Sequence, residues 1–234
     1  MVTRILLAAY AVVGIANVVG EALGSSIVPT VTKPLLVPLL LAWLVLSARP
    51  GLATPLRWLS AGLVFAWLGD VLLMGDGDGF FIGGIAGFLG MQVCYLVAFL
   101  RVPGPGLVRA WKIALVPYAA IWVGVNALVS SGVGALRIPV LLYSAVLIAM
   151  AVAALDLVLR VPRPLGWRVA WGALLFVLSD ALIAMTAFGP LSESDAVSAV
   201  IMATYVTAQA MIVTGFTGSV LATEAHRPEA SATR

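Results

Sequence analysis

The sequence predicts an all-α membrane protein, an eight-span transmembrane helical bundle. Hydrophobic residues make up 62% of the chain and charged residues only 10%, with a mean hydropathy of +1.13. Soluble domains do not reach such values. Eight apolar stretches also approach the length of about 20 residues that crosses a bilayer core. They are 4–22, 33–48, 56–75, 80–101, 110–131, 137–160, 167–188 and 196–222. We therefore expect one transmembrane domain over 1–222 and a polar cytoplasmic tail over 223–234.

Residues typical of turns separate these stretches in order along the chain. The breaks are 24–26, 49–51, 75–79, 103–106, 130–132, 162–164 and 189–190, all of them rich in Gly, Pro or Ser. The first stretch ends at Glu21 without a convincing small-x-small cleavage site, so it is interpreted as a span and not as a signal peptide. Asp76 and Asp78, in the third break, are interpreted as a solvated turn.

The basic residues predict the orientation of the bundle. If the spans alternate in direction, eleven of the 13 Lys and Arg residues fall on one side, and only Lys33 and Arg137 fall on the other. Both termini should then be cytoplasmic. The Ala, Val, Gly and Arg bias is typical of a GC-rich bacterium, so the predicted location is a bacterial plasma membrane.

Composition also argues against several functions. The net charge of +3 and the pI near 9.4 reflect these anchoring residues and do not predict a nucleic-acid partner. Cys94 is the only cysteine and lies in an apolar stretch, so no disulfide framework is expected. The only histidine, His226, lies in the tail. We therefore predict neither a metal site nor a cofactor. The oligomeric state stays open.

Two aspartates interrupt otherwise apolar spans. Asp70 lies in the third span and Asp180 in the seventh. An Asp near mid-span costs roughly 2.5–3.5 kcal/mol on insertion scales, and such residues are usually functional. At about 1.5 Å per residue, both side chains should lie some 7–12 Å below the outer interface. They are the predicted catalytic residues.

Further polar residues are predicted at a comparable depth, which favours one convergent site. The candidate binding residues are Lys33, Glu21, Gln92, Tyr95, Tyr205 and Gln209. Simpler interpretations stay open: Glu21 pairs with Lys33, and the glutamines and tyrosines join helices. Asp156 is one turn before Arg160, so an ion pair explains it. The glycines Gly83, Gly87 and Gly90 should permit close helix packing.

A weak internal repeat places the two aspartates in corresponding positions. An offset of 110 residues (180 − 70) aligns Asp70 with Asp180, and Tyr95 with Tyr205. This offset predicts two parallel four-helix halves, with the aspartates facing each other across an axis along the membrane normal. Parallel repeats of this kind are known from membrane transporters.

Several motifs resemble the YhhN family of lysoplasmalogenase-like membrane proteins. They are Leu68-Gly69-Asp70-Val71-Leu72-Leu73, Thr32-Lys33-Pro34-Leu35, the segment 80–99 with Phe88-Leu89-Gly90-Met91-Gln92, and Gly172-Ala173-Leu174-Leu175-Phe176-Val177-Leu178-Ser179-Asp180. The resemblance covers about 21–209. Relatives often carry His where this chain has Gln92.

The resemblance implies a hydrolase that cleaves the vinyl ether bond of a lysoplasmalogen, releasing an aldehyde and a glycerophospho-headgroup. The partners would be a lysophospholipid substrate and bilayer lipids. Two carboxylates in a low-dielectric pocket suit this acid/base chemistry. Asp70 and Asp180 would be acid and base in either order, and Lys33 would hold the phosphate. Gln92, Tyr95, Tyr205 and Gln209 would position water and the glycerol hydroxyl.

Two other classes of protein also use membrane carboxylates. An intramembrane aspartyl protease is disfavoured because Trp67 occupies the first glycine position of its GxGD motif. A proton-coupled transporter is the stronger alternative, because parallel halves and buried carboxylates suit it. A lipid-binding protein that uses the same two aspartates is the third possibility.

Overall fold

The structure, a computed structural model, describes residues 1–48 and 51–225. Within that part of the chain, eight long helices follow one another: α1 (Val2–Ala22), α2 (Ile27–Ser47), α3 (Thr54–Leu72), α4 (Asp78–Leu100), α5 (Leu115–Val129), α6 (Arg137–Asp156), α7 (Arg163–Phe188) and α8 (Asp195–Ala225). Short helical turns at Leu107–Ala110, Lys112–Ala114, Gly134–Leu136 and Leu157–Leu159 join or extend them. The predicted all-α bundle is confirmed.

Seven of these helices are long and apolar enough to cross a membrane. The exception is α3, whose length suffices but whose hydropathy is lowered by Arg57 and Asp70. Since α3 is packed between α2 and α4, we place it with the other spans. The connections are short, so consecutive helices run antiparallel. One end of the bundle carries Asp76, Asp78, Glu193 and Asp195, and we call it the acidic end.

Some predicted boundaries were wrong by several residues. Helix α2 begins at Ile27 and not at 33, because Pro34 and Pro38 lie inside the helix without ending it. The third span ends at Leu72, and the fifth is broken after Ala110. Residues 223–225, predicted as tail, continue α8. His226 and the rest of the predicted tail lie outside the described residues, as do Arg49 and Pro50.

A proline in α2 is matched by a side chain of α3. Pro38 has no N–H to donate to the carbonyl of Pro34 four residues earlier. The Trp67 indole donates to that Pro34 oxygen at 3.0 Å. Because Lys33 precedes Pro34 and Asp70 follows Trp67 by one turn, this bond sets the relative position of the two charged residues.

Small residues bring α3 and α4 into backbone contact beside Asp70. A Cβ atom at Gly87 would lie 2.8 Å from the Gly69 backbone nitrogen, so these helices pack with no side chain between them. Beyond Gly69, the ring of Phe88 fills the space that a larger residue would need. The predicted close packing along Gly83, Gly87 and Gly90 is confirmed.

The order of the helices supports the two predicted halves. Helices α5, α6, α7 and α8 begin 113, 110, 109 and 117 residues after α1, α2, α3 and α4 (115 − 2, 137 − 27, 163 − 54, 195 − 78). Helix α4 of the first half packs on α6 of the second, and α8 packs on α2 in return. Helix α5 is peripheral and packs mainly on α6 and α7.

At the end opposite the acidic end, the predicted ion pair between Asp156 and Arg160 is confirmed. The pair also holds the connection that follows α4. The Asp156 Oδ1 atom accepts from the Val108 N–H at 2.7 Å, and Arg160 donates to the Val102 carbonyl at 3.2 Å. Its role is therefore structural.

Candidate functional site

Asp180 is the centre of a polar cluster formed by three helices. On α7, Asp180 accepts a hydrogen bond at Oδ2 from the Tyr143 hydroxyl of α6 at 2.6 Å. The same Oδ2 accepts from the Gln92 amide of α4 at 3.1 Å. Among the described residues, no group is hydrogen-bonded to the other carboxyl oxygen, Oδ1. We call Asp180, Tyr143 and Gln92 the Asp180 cluster.

The Asp180 cluster opens onto an apolar cavity of about 170 Å³, here called the chain cavity. It extends toward the acidic end between α4, α6 and α7. Its wall is formed by aliphatic and aromatic side chains, among them Leu73, Phe81, Ile85, Leu136, Ile183 and Phe188. Asp180 is half-buried and, with Tyr143, supplies the polar atoms of the wall. A carboxylate facing an apolar cavity suits an acid or base that acts on an apolar ligand.

Asp70 belongs to a separate cluster. Its side chain is 1% exposed, and its Oδ2 accepts from the Tyr205 hydroxyl of α8 at 2.6 Å. Lys33 of α2 lies near enough for its charge to act on Asp70, although the two form no ion pair within 4.0 Å among the described contacts. We call Asp70, Tyr205 and Lys33 the Asp70 cluster.

Aromatic rings stand between the two clusters. The rings of Phe88, Phe176 and Tyr205 lie 5.9–6.4 Å apart, centre to centre, and form a mutually packed group. Phe88 also lines the chain cavity. Tyr205 carries the hydroxyl that bonds Asp70. We call this group the aromatic wall. Through Tyr205 it contacts Asp70, and through Phe88 it contacts the chain cavity, so it connects the Asp70 cluster to the cavity.

The structure therefore corrects the expectation of one convergent site. The chain cavity is lined by Asp180 but not by Asp70 or Lys33. Lys33 lies in the second turn of α2 and not at the end of a span. Glu21 is half-buried near the end of α1, and the pairing of Glu21 with Lys33 is absent, since the described residues hold one ion pair, Asp156–Arg160.

Tyr95 and Gln209 hydrogen-bond each other and are bonded to neither aspartate. The Tyr95 hydroxyl donates to Gln209 Oε1 at 2.8 Å, and the Gln209 amide lies 3.3 Å from the Met91 sulfur. Tyr95 and Gln209 are fully buried. Their geometry matches the alternative in which they join helices, here α4 to α8.

Sequence reasoning missed Tyr143. The repeat could have found it, because the offset of 110 residues places Tyr143 opposite Lys33 (143 − 110 = 33). Each half then contributes an aspartate on its third helix and a polar residue on its second. The fourth helix of the other half completes each cluster, with Tyr205 at Asp70 and Gln92 at Asp180.

Together, the fold and the clusters define a multi-span helical membrane protein with two carboxylates held among its helices. The chain belongs to the YhhN family, whose family model matches residues 28–216. The matched region includes every residue of both clusters, and the resemblance predicted from the sequence is confirmed. No curated protein and no solved structure matches the chain.

Proposed function

We propose that the protein is a membrane hydrolase that cleaves the vinyl ether bond of a lysoplasmalogen or a related lysolipid. The observation that carries this proposal is the Asp180 carboxyl group in the wall of the chain cavity, with an Oδ1 atom that no described residue bonds. Membership of the YhhN family supports it. The apolar wall suits the alkenyl chain of a single-chain lipid, which would enter from the side of the acidic end.

The chemistry needs one carboxyl group in contact with the substrate. Protonated Asp180 transfers its proton to the alkene carbon that is not bonded to oxygen, and an oxocarbenium ion forms. Water adds to the cationic carbon while its proton returns to the Asp180 carboxylate. The hemiacetal then breaks its bond to the glycerol oxygen, which leaves as an alcohol, and an aldehyde is released. General acid–base catalysis of this kind supplies roughly 10²–10⁴-fold.

Tyr143 and Gln92 act on Asp180 in this scheme. Both donate to Oδ2, so they stabilise the carboxylate that forms after proton transfer and leave Oδ1 directed to the substrate. Asp70 is a positioning residue. It orients Tyr205, and through it the aromatic wall that includes Phe88 of the chain cavity. In this scheme Lys33 provides a positive charge near Asp70, and it does not bind the phosphate of the substrate.

Aldehyde release from a lysoplasmenyl lipid by the purified protein in detergent is the experiment that tests the proposal. We expect release by the wild-type protein and release slower by roughly 10²–10⁴-fold by Asp180→Asn. An arm with EDTA tests for a divalent metal. Absence of release, together with uptake into vesicles that depends on a pH gradient, would replace the hydrolase with the proton-coupled transporter.

A further inference from the structure

A second cavity meets the chain cavity at the catalytic carboxyl group. It has a volume of about 50 Å³, lies between α5, α6 and α7, and is called the side cavity. Asp180 and Tyr143 line both cavities, as do Val140 and Ala184. The rest of the two walls differs. The carboxyl group thus stands between a larger space and a smaller one.

The wall of the side cavity is mostly apolar, but it contains two polar side chains that the chain cavity lacks. Its wall includes Asn126 and Ser144. The amide of Asn126 donates to Ser144 Oγ at 3.2 Å and to the Trp122 carbonyl at 2.8 Å. The indole of Trp122 also donates to Ser144 Oγ, at 3.0 Å. These bonds occupy the N–H groups of the amide, and they leave its Oδ1 with only a weak donor, Ser144 Oγ at 3.4 Å.

The remaining polar atoms of the side cavity are mostly acceptors. Ser144 donates to the Leu141 carbonyl at 3.1 Å and lies 3.4 Å from Asn126 Oδ1, which is a weak contact. Asn126 Oδ1 and Asp180 Oδ1 are therefore both able to accept. A water molecule that gives its two protons to two acceptors keeps its lone pairs for attack. A cavity needs only about 10–15 Å³ to hold one water.

The position of Asn126 also gives water a short path. It lies three residues before Val129, at which α5 ends at the acidic end (129 − 126). At about 1.5 Å per residue, this is roughly 5 Å from the end of the helix. The turn that follows contains Ser130 and Ser131, both exposed.

We propose that the side cavity is the binding site of the hydrolytic water, held between Asn126 and Asp180, while the lipid chain occupies the chain cavity. This inference rests on the proposed function. Water attacks the oxocarbenium carbon from the side cavity, a C–O bond forms, and the released proton goes to the Asp180 carboxylate. Ala181 lines only the side cavity, and Ile85 lines only the chain cavity. A substitution at either residue therefore changes one cavity and not the other.

Steady-state kinetics of aldehyde release test this assignment with Ala181→Leu, which fills the side cavity, and Asn126→Leu, which removes the acceptor. We expect kcat to fall about 10-fold or more in each, the effect of about 1.4 kcal/mol on the barrier, with KM within about twofold of wild type. The matched control, Ile85→Phe, narrows the chain cavity and should raise KM more than it lowers kcat.

A product measurement gives a readout that loss of packing would not change. With methanol added, an enlarged side cavity in Ala181→Gly should admit methanol and yield a mixed methyl acetal, whereas the wild-type protein should yield aldehyde. If Ala181→Leu does not fold, Ala181→Val and Asn126→Leu carry the kinetic test. Wild-type kcat in these variants would overturn the side cavity as the water site, whereas an inactive wild-type protein would overturn the proposed function itself.

Discussion

The two aspartate clusters occupy corresponding positions in the two halves but differ in their surroundings. Asp70 is fully buried, with one hydroxyl donor and a lysine nearby. Asp180 is half-buried, with two neutral donors on one oxygen and cavities on either side. A lysine near the first carboxyl group supplies an opposite charge, which favours its carboxylate form. The second carboxyl group has a tyrosine at the corresponding position, which donates a hydrogen bond and carries no charge. This difference is the basis of our proposal that one half positions and the other half reacts.

The largest expected effect follows from replacing the reactive carboxyl group. Asp180→Asn removes the transferable proton while it keeps the side-chain shape, so kcat should fall by roughly 10²–10⁴-fold. Aldehyde release measures it, and elution as a single folded species in detergent controls for the fold. A variant that folds and keeps wild-type turnover would contradict the assignment of Asp180.

The next effect compares the two tyrosines. Tyr143→Phe removes a donor from Asp180 Oδ2, and kcat should fall roughly 10–160-fold, since hydrogen bonds to charged groups contribute roughly 1.5–3 kcal/mol. Tyr205→Phe is its matched control, because it removes the corresponding donor from Asp70. Tyr205→Phe should lower the melting temperature more than it lowers kcat. The opposite ranking of the two kcat values would reverse the roles of the halves.

Asp70→Asn distinguishes the positioning role from two-carboxylate catalysis. We expect a fall in kcat of about 10-fold, because a misplaced aromatic wall disturbs substrate geometry. The melting temperature should also change, since a buried hydrogen-bond partner of Tyr205 is altered. If Asp70→Asn loses as much turnover as Asp180→Asn in the same assay, both carboxylates act on the substrate, as the sequence alone suggested.

Lys33 gives a smaller effect, on stability. Lys33→Met removes the charge near Asp70 and should cost about 1 kcal/mol, because Lys33 is partly exposed to solvent. This corresponds to a fall of roughly 2–4 °C in melting temperature for a chain of this size. In the double variant Lys33→Met/Asp70→Asn, part of the loss should be recovered. A large rise in KM for the lysolipid would instead support the phosphate contact.

The smallest effect is expected from Gln92→His. An imidazole N–H at this position can also donate to Asp180 Oδ2, so turnover should stay within about threefold of wild type, less than 1 kcal/mol. Gln92→Leu, which has no donor, is the control and should be slower. If Gln92→His raises turnover strongly, a proton shuttle at this position would be indicated.

The sequence predicted the bundle because hydropathy over whole spans is a strong signal, and it predicted both aspartates because a charge in such a span is conspicuous. It did not predict that Gln92 bonds Asp180 while Tyr205 bonds Asp70. Those pairings depend on the rotation of each helix and on which helices are neighbours across the two halves. Tyr143 was missed because a tyrosine in an apolar helix gives no signal without the repeat. Lys33 was placed too near the surface because Pro34 and Pro38 resemble a helix boundary.

The hydrogen bond from Trp67 to the Pro34 carbonyl has no counterpart among the described residues of the second half. In α6 the residues that correspond to Pro34 and Pro38 are Ser144 and Ile148 (34 + 110, 38 + 110). There the backbone has no proline at the later position, so it frees no carbonyl for an indole of the next helix. Pro34 accepts the hydrogen bond that joins α2 to α3 in the first half. The corresponding residue of the second half, Ser144, has a hydroxyl group and lines the side cavity. The same two positions therefore serve a hydrogen bond between helices in one half and the wall of a cavity in the other.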